Sequence, residues 1–230
     1  MKTQVSERDP ACVRDRQPLL RFASRIRFRA VLVLCALWGG GTVALAAGDA
    51  AAGAIKTQAC VACHGENGIS VAAMWPNLAG QNAPYLVGRL KFYQTTTVEQ
   101  YPAMYPLSAE LGDQDIADLA AHYAGLSINT CEAQTGVTAG DPVAGMQKAA
   151  MCAGCHGPAA VKANTAWPSL AGQKDQYLVA QLQAFMDGTR ESQVMAPFLA
   201  ALTEQDLLDL AAHYSGLNAQ DHAPCEAGGG

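Results

Sequence analysis

With 230 residues, half of them hydrophobic and 15% charged, the chain has the make-up of a globular protein of one or two domains. Its formal charge is −5, but eight of the 15 Lys and Arg lie between Lys2 and Arg29, so residues 47–230 hold 7 basic against 17 acidic side chains, a net −10. A surface that acidic repels phosphate and anionic headgroups, which argues against nucleic acid and charged lipid as partners.

In chain order, the basic stretch is followed by an apolar run from Ala30 to Trp38, then Gly39-Gly40-Gly41 and Ala44-Leu45-Ala46. A basic segment, a short apolar core and a small-x-small site describe an export signal over residues 1–46, cleaved near Ala46. The apolar core is short for a bilayer span; an uncleaved anchor is the alternative. No second segment is apolar enough to cross a membrane. The mature protein is therefore expected to be soluble in the periplasm, an oxidising compartment.

From Gly48 onward the chain is written twice. "GDAAAGAIKTQACVACHGENG" from Gly48 matches "GDPVAGMQKAAMCAGCHGPAA" from Gly140, and "WPNLAGQNAPYLV" from Trp75 matches "WPSLAGQKDQYLV" from Trp167, both at an offset of 92. After one deletion the offset is 91, and "DIADLAAHYAGL" from Asp115 matches "DLLDLAAHYSGL" from Asp206. The organisation expected is a domain at 47–130, a Gly- and Thr-rich linker at 131–139, and a second domain at 140–230.

Apolar residues recur with helical spacing, as in Ile116, Leu119, Ala120, Tyr123 and again in Leu207, Leu210, Ala211, Tyr214. First helices are predicted over Asp49–Cys60 and Asp141–Cys152, and middle helices over Tyr85–Tyr93 and Tyr177–Phe185. Thr203 with Asp206 makes a capping box for the last helix, and Gly125 and Gly216 supply stops. Alternating β patterns are missing, so the fold class is all-α. A few short helices per unit enclose little apolar volume, so another group is expected to fill each centre.

"CVACHG" (Cys60, Cys63, His64) and "CAGCHG" (Cys152, Cys155, His156) carry the chemistry. Cys at i and i+3 with His at i+4 project from one helix face. Two thiols can then add to the vinyl groups of a porphyrin edge while the imidazole reaches the iron, the c-type haem attachment signature. A thioredoxin-like pair would want a βαβ setting. One zinc held by both Cys pairs would leave the following His unexplained. A sixth iron ligand is expected to be Met, whose soft sulfur favours the reduced state. Of the Met residues only Met104 and Met195 superpose in the repeat, 41 and 40 residues after Cys63 and Cys155, each in M-x-P. His122 and His213 recur too, but about 120° off the apolar helix faces, which reads as solvated surface. His222 has no counterpart. Trp75 and Trp167 read as haem-packing or propionate-bonding residues, or plain core aromatics.

Two CxxCH units, each with "WPxLAGQxxxYL", a later Met and a terminal "DLAAxY" helix, resemble the dihaem cytochrome c4 group over residues 48–218. The resemblance implies two tandem class I cytochrome c domains related by a pseudo-twofold, with two covalently attached haem c groups edge to edge. It implies His64 and Met104 on one iron, and His156 and Met195 on the other. It also implies an electron carrier whose partners are redox proteins: a quinol-oxidising complex or dehydrogenase on one side, a terminal oxidase or reductase on the other. No small-molecule substrate is expected, and loose membrane association is allowed. The alternatives are a dihaem enzyme of peroxidase or thiosulfate dehydrogenase type, or a cytochrome subunit of a dehydrogenase.

Three features depart from the pattern. The turn after the second CxxCH lacks a glycine of the first. Arg190, shortly before Met195, has no basic counterpart near Val98 and Glu99, which predicts a higher potential for the second haem. Cys131 and Cys225 follow matching helices. Once the haem cysteines are used and Cys12 and Cys35 leave with the signal, these two remain and are expected to form a disulfide across the pseudo-twofold, the alternatives being two free thiols or one reactive ligand.

Overall fold

In the computed structural model residues 47–96, 101–127, 129–133 and 139–225 are described; the export signal expected over 1–46 and residues 134–138 of the expected linker lie outside them. The first repeat holds α1 (Ala50–Ile55), α2 (Gln58–His64), α3 (Ala83–Thr95), α4 (Met104–Ala109) and α5 (Asp113–Gly125). A 3₁₀ turn at Thr130–Ala133 follows. The second repeat holds α6 (Pro142–Ala149), α7 (Ala153–His156), α8 (Pro158–Ala163), α9 (Asp175–Met186), α10 (Ala196–Leu199) and α11 (Glu204–Ser215). The described residues include no strand, only an isolated bridge between Leu217 and Pro224.

Both repeats start alike. The Asp49 carboxylate accepts from the backbone N–H groups of Ala51 and Ala52, and Asp141 does the same for Val143 and Ala144, so each aspartate satisfies two orphan donors of a helix start. The first helices are shorter than predicted. In place of one helix over Asp49–Cys60, α1 stops at Ile55 and α2 restarts after Thr57, whose hydroxyl donates back to the Ala54 carbonyl at 2.9 Å. Likewise α6 ends at Ala149, and α7 begins beyond Cys152. The break gives the CxxCH segment its own helical turn.

The first helix of each repeat crosses the last at a glycine. A Cβ on Gly53 would stand 2.0 Å from the Asp118 carbonyl oxygen, and one on Gly145 1.9 Å from that of Asp209. Only hydrogen fits there. Beside each crossing a lysine clamps two aspartates: Lys56 Nζ lies 2.6 Å from Asp118 and 2.7 Å from Asp115, Lys148 Nζ 2.6 Å from Asp209 and 2.8 Å from Asp206. Asp118 and Asp209 are buried, and each also accepts from a backbone N–H, of Asp49 and Asp141. The lysine first, then that N–H and the amides of Gln114 and Gln205, hold both carboxyls down at about 2. On the inner faces of α5 and α11 lie Leu119, Ala120, Tyr123 and Leu210, Ala211, Tyr214, packed on Leu86 of α3 and Leu178 of α9. Thr203 caps α11 as predicted, in a reciprocal box with Asp206.

The repeats meet through two glutamines. Gln81 Oε1 accepts from the Ser169 N–H and its amide donates to the Ser169 carbonyl, both at 2.9 Å. Gln173 Oε1 accepts from the Asn77 N–H at 2.8 Å, and its amide donates to the Asn77 carbonyl at 3.0 Å. Gln81 and Gln173 are equivalent in the repeat, as are Asn77 and Ser169, so each side does to the other what the other does to it. That reciprocity is the mark of a twofold relation between units. Away from the glutamines, Cys131 and Cys225 are disulfide-bonded, with Cα atoms 5.4 Å apart, as the sequence leads one to expect. Around the bridge, the Ala219 N–H donates to Thr130 Oγ1 at 3.0 Å, and the Asn218 amide to Asn129 Oδ1 at 3.1 Å.

Candidate cofactor sites

Helices α2 and α7 each end on the histidine of CxxCH, and both imidazoles are buried. His64 Nδ1–H donates to the Pro76 carbonyl and His156 Nδ1–H to the Pro168 carbonyl, each at 2.9 Å. A carbonyl can only accept, so the proton sits on Nδ1 and the Nε2 lone pair is left free. Burial lowers the pKa of both rings, with the proline carbonyl opposing, so the neutral, ligating form prevails at neutral pH. The Trp-Pro dipeptides singled out in the sequence thus have a second use: the proline carbonyl aims the ring, while Trp75 and Trp167 are half-buried.

Cys60, Cys63, His64 and Met104 all line one cavity of about 370 Å³ in the first repeat, a size within the range of roughly 300–1,000 Å³ usual for cofactor clefts. Met104 opens α4, and Met195 stands just ahead of α10 in the second repeat. Both are half-buried, whereas Met74, Met146, Met151 and Met186 are exposed. Burial therefore separates the same two methionines from the rest that the repeat separates. In the second repeat Cys152 and Cys155 are half-buried beside the buried His156. None of the four CxxCH cysteines takes part in a disulfide, so all four are available to hold a haem.

These residues fit a covalently held haem. Each repeat offers two thiols one helical turn apart, an imidazole with a free nitrogen and a thioether. The first cavity also has the buried Tyr123 hydroxyl on its lining, with no hydrogen-bond partner among the described residues. The zinc alternative does not survive: among the described residues no three His, Cys, Asp or Glu side chains are grouped to hold a metal ion.

Two sequence expectations change. His122 and His213 are not simply solvated; they are half-buried, packed on the rings of Tyr123 and Tyr214 at 5.1 Å, and they roof the glycine crossings. Gln81, Gln173 and Asn77 were missed as functional positions. The signal was present, since "LAGQ" recurs unchanged in both repeats, but only the packing shows that the amide reaches the other repeat. The expected difference after the second CxxCH is real. Gly65 and Gly68 adopt φ of 77° and 70° in an open turn, whereas Gly157, at φ −73°, leads straight into α8.

Comparison with known proteins places the site in context. The family model for cytochrome c matches the chain twice, over residues 50–127 and 143–217. Cytochrome c4 of Pseudomonas aeruginosa is 36% identical over 191 residues, covering 76% of this chain and 92% of that one. A protein of Stutzerimonas stutzeri named a thiosulfate dehydrogenase electron acceptor is 30% identical over 176 residues, covering 71% and 81%. The crystal structure of reduced recombinant cytochrome c4 from Pseudomonas stutzeri superposes with a TM-score of 0.62 at 30% identity, covering 74% of this chain and all of that one.

Proposed function

Since the chain belongs to the cytochrome c family, in its dihaem cytochrome c4 group, and carries two covalently attached haem c groups on its CxxCH motifs, we propose that it is a periplasmic electron carrier. It takes electrons from a quinol-oxidising complex or a dehydrogenase and delivers them to a terminal oxidase or reductase. The relative named an electron acceptor of thiosulfate dehydrogenase supports a dehydrogenase as donor. Among the described residues no helix is long and apolar enough to cross a membrane.

The observation that carries this reading is the gathering of Cys60, Cys63, His64 and Met104 on one cavity of the first repeat, with the imidazole aimed in the same way in the second. Cys60 and Cys63, and Cys152 and Cys155, would hold the two haems, with His64 and Met104 binding one iron and His156 and Met195 the other. Haem iron supplies a one-electron couple. The chain does the rest. The carbonyls of Pro76 and Pro168 fix the imidazoles, the methionine sulfurs favour the reduced state, and the seam glutamines set the spacing of the two sites. Two protein ligands on each iron would leave no position for a substrate, which supports transfer over bond-making.

Replacing Met104 or Met195 by Ala is expected to lower one potential and open one iron to added imidazole, leaving the other haem as it was. Optical redox titration reads both. If Met74→Ala or Met151→Ala gave that result instead, the ligand assignment would fail. Rapid turnover of thiosulfate or peroxide by the wild type would remove the carrier reading.

A further inference from the structure

The seam between the repeats holds two guanidinium groups that the glutamine symmetry does not explain. Arg89 of α3 lines the first cavity, its Cζ 4.4 Å from the Phe92 ring centre and 4.8 Å from that of Tyr93. The equivalent position in α9 is Gln181. That glutamine accepts from Arg190, so the second repeat uses a neutral side chain to hold a cation arriving from its own loop. Arg190 then reaches out of its repeat. One guanidinium nitrogen donates to the Tyr85 hydroxyl at 3.3 Å, while the Gln181 amide donates to the Tyr101 hydroxyl at 2.9 Å. Tyr85, Tyr101 and Tyr177 all line the cavity that contains Cys60, Cys63, His64 and Met104.

Neither Arg89 nor Arg190 has a carboxylate partner among the described residues. Half-buried cations held only by neutral side chains and aromatic faces are incomplete as a charge arrangement, because removal from water costs energy that a nearby anion recovers. The haem in that cavity brings two carboxylates of its own. We propose that Arg190, although supplied by the second repeat, is a positioning cation of the first haem site, where it pairs with the acidic edge of the haem and raises its potential. The first haem then has two cations at the seam, one from each repeat. This reverses the ordering that sequence position suggests, in which Arg190 serves the haem of its own repeat. The inference rests on haem attachment at the CxxCH motifs, not on the carrier role or on the methionine assignment.

The test is an optical redox titration of the full holoprotein carrying a label on one haem. Cys60→Ala leaves a vinyl group on the first haem and shifts its absorption; Cys152→Ala labels the second, and either label resolves the two components. In this background Arg190→Gln is expected to move the first haem about tenfold toward oxidised at fixed potential, or about 59 mV for one electron, and the second haem by less. Arg190→Lys, which keeps the charge without the fork, should fall between wild type and Arg190→Gln. Tyr85→Phe removes a partner while keeping the guanidinium, and should move the same component in the same direction by less. A role in packing alone would lower the unfolding temperature without a selective shift in potential. A shift confined to the second haem, or no shift in either Arg190→Gln or Tyr85→Phe, overturns the proposal. Should Arg190→Gln fail to accumulate, Tyr85→Phe decides.

Discussion

The two repeats agree at their helix crossings, their aimed imidazoles and their seam glutamines, and differ in the charged residues they bring to the seam. Asp49 and Asp141, Lys56 and Lys148, Gly53 and Gly145, and His64 and His156 make the same bonds to equivalent partners with distances matching within about a tenth of an ångström. At the seam Arg89 stands opposite Gln181, and Arg190 has no described counterpart. The turns after CxxCH differ as well. Duplication therefore marks what any haem unit of this kind needs, and divergence marks what makes two haems unequal.

The sharpest way to break the duplicated half of that comparison is at the helix crossings. Gly53→Val and Gly145→Val each drive a side chain into a backbone carbonyl, where no flexible group can give way. The affected repeat is expected to fail to fold, a loss above about 4 kcal/mol. Haem content by mass spectrometry should then fall from two to one in either variant. Retention of both haems would show that the crossing can slide.

Next in size is the disulfide. It closes a loop between residues separated by 94 positions, so Cys131→Ser with Cys225→Ser should cost about 4 to 5 kcal/mol in the chain-entropy account. Denaturant unfolding followed at the haem bands measures it. A cost near zero would mean that the contacts of Thr130, Ala219 and Asn218 hold the ends together without the sulfurs.

The glutamines test the twofold itself. Gln81→Ala breaks the bonds to the Ser169 N–H and carbonyl and to the Asn82 N–H, and Gln173→Ala those to the Asn77 N–H and carbonyl and to the Lys174 N–H, at roughly 1–3 kcal/mol for each group that loses its bond away from water. Equal costs by denaturant unfolding sharpen the symmetry; unequal ones locate the asymmetry in the seam backbone and not in the arginines alone.

The smallest effect is a shared acid response. Asp118 and Asp209 are held at about 2 in the folded chain, below an unfolded value of roughly 3.9. Their contribution is present above about pH 4 and is lost as pH falls through about 2, because the unfolded chain takes up protons first. The unfolding temperature should drop across that window. Lys56→Met should flatten the drop in the first repeat only, and Lys148→Met in the second only. A slope unchanged in both would assign the acid response to other carboxylates.

Much of this was legible in the sequence because the chain states it twice. Helices α3, α5, α9 and α11 follow from apolar spacing, with α11 also announced by Thr203 and Asp206. The residues Cys60, Cys63, His64 and Met104, separated by up to 44 positions in the chain, meet at one cavity. What periodicity could not show was the interruption at Thr57, since a hydroxyl bonding back to Ala54 leaves the apolar pattern intact. Nor could it show which face of one repeat meets the other. Gln81 reads as a surface amide until Ser169 is beside it, and Arg190 reads as a neighbour of Met195 until Tyr85 is placed. His122 was misjudged because a helical wheel counts only its own helix, and the first helix of the repeat passes over that face.

Cys131 and Cys225 bracket the whole second repeat, which gives the bridge a mechanical meaning. Tension applied ahead of Cys131 and beyond Cys225 runs through the sulfurs and never reaches helices α6 to α11. A protease cut anywhere in that span leaves two fragments that remain one molecule. When the second repeat opens, its ends stay tethered with their Cα atoms 5.4 Å apart, so it recloses against the seam it left. The oxidised bridge makes the second haem unit a ring hung from the first, shielded from pulling and from loss by a single nick.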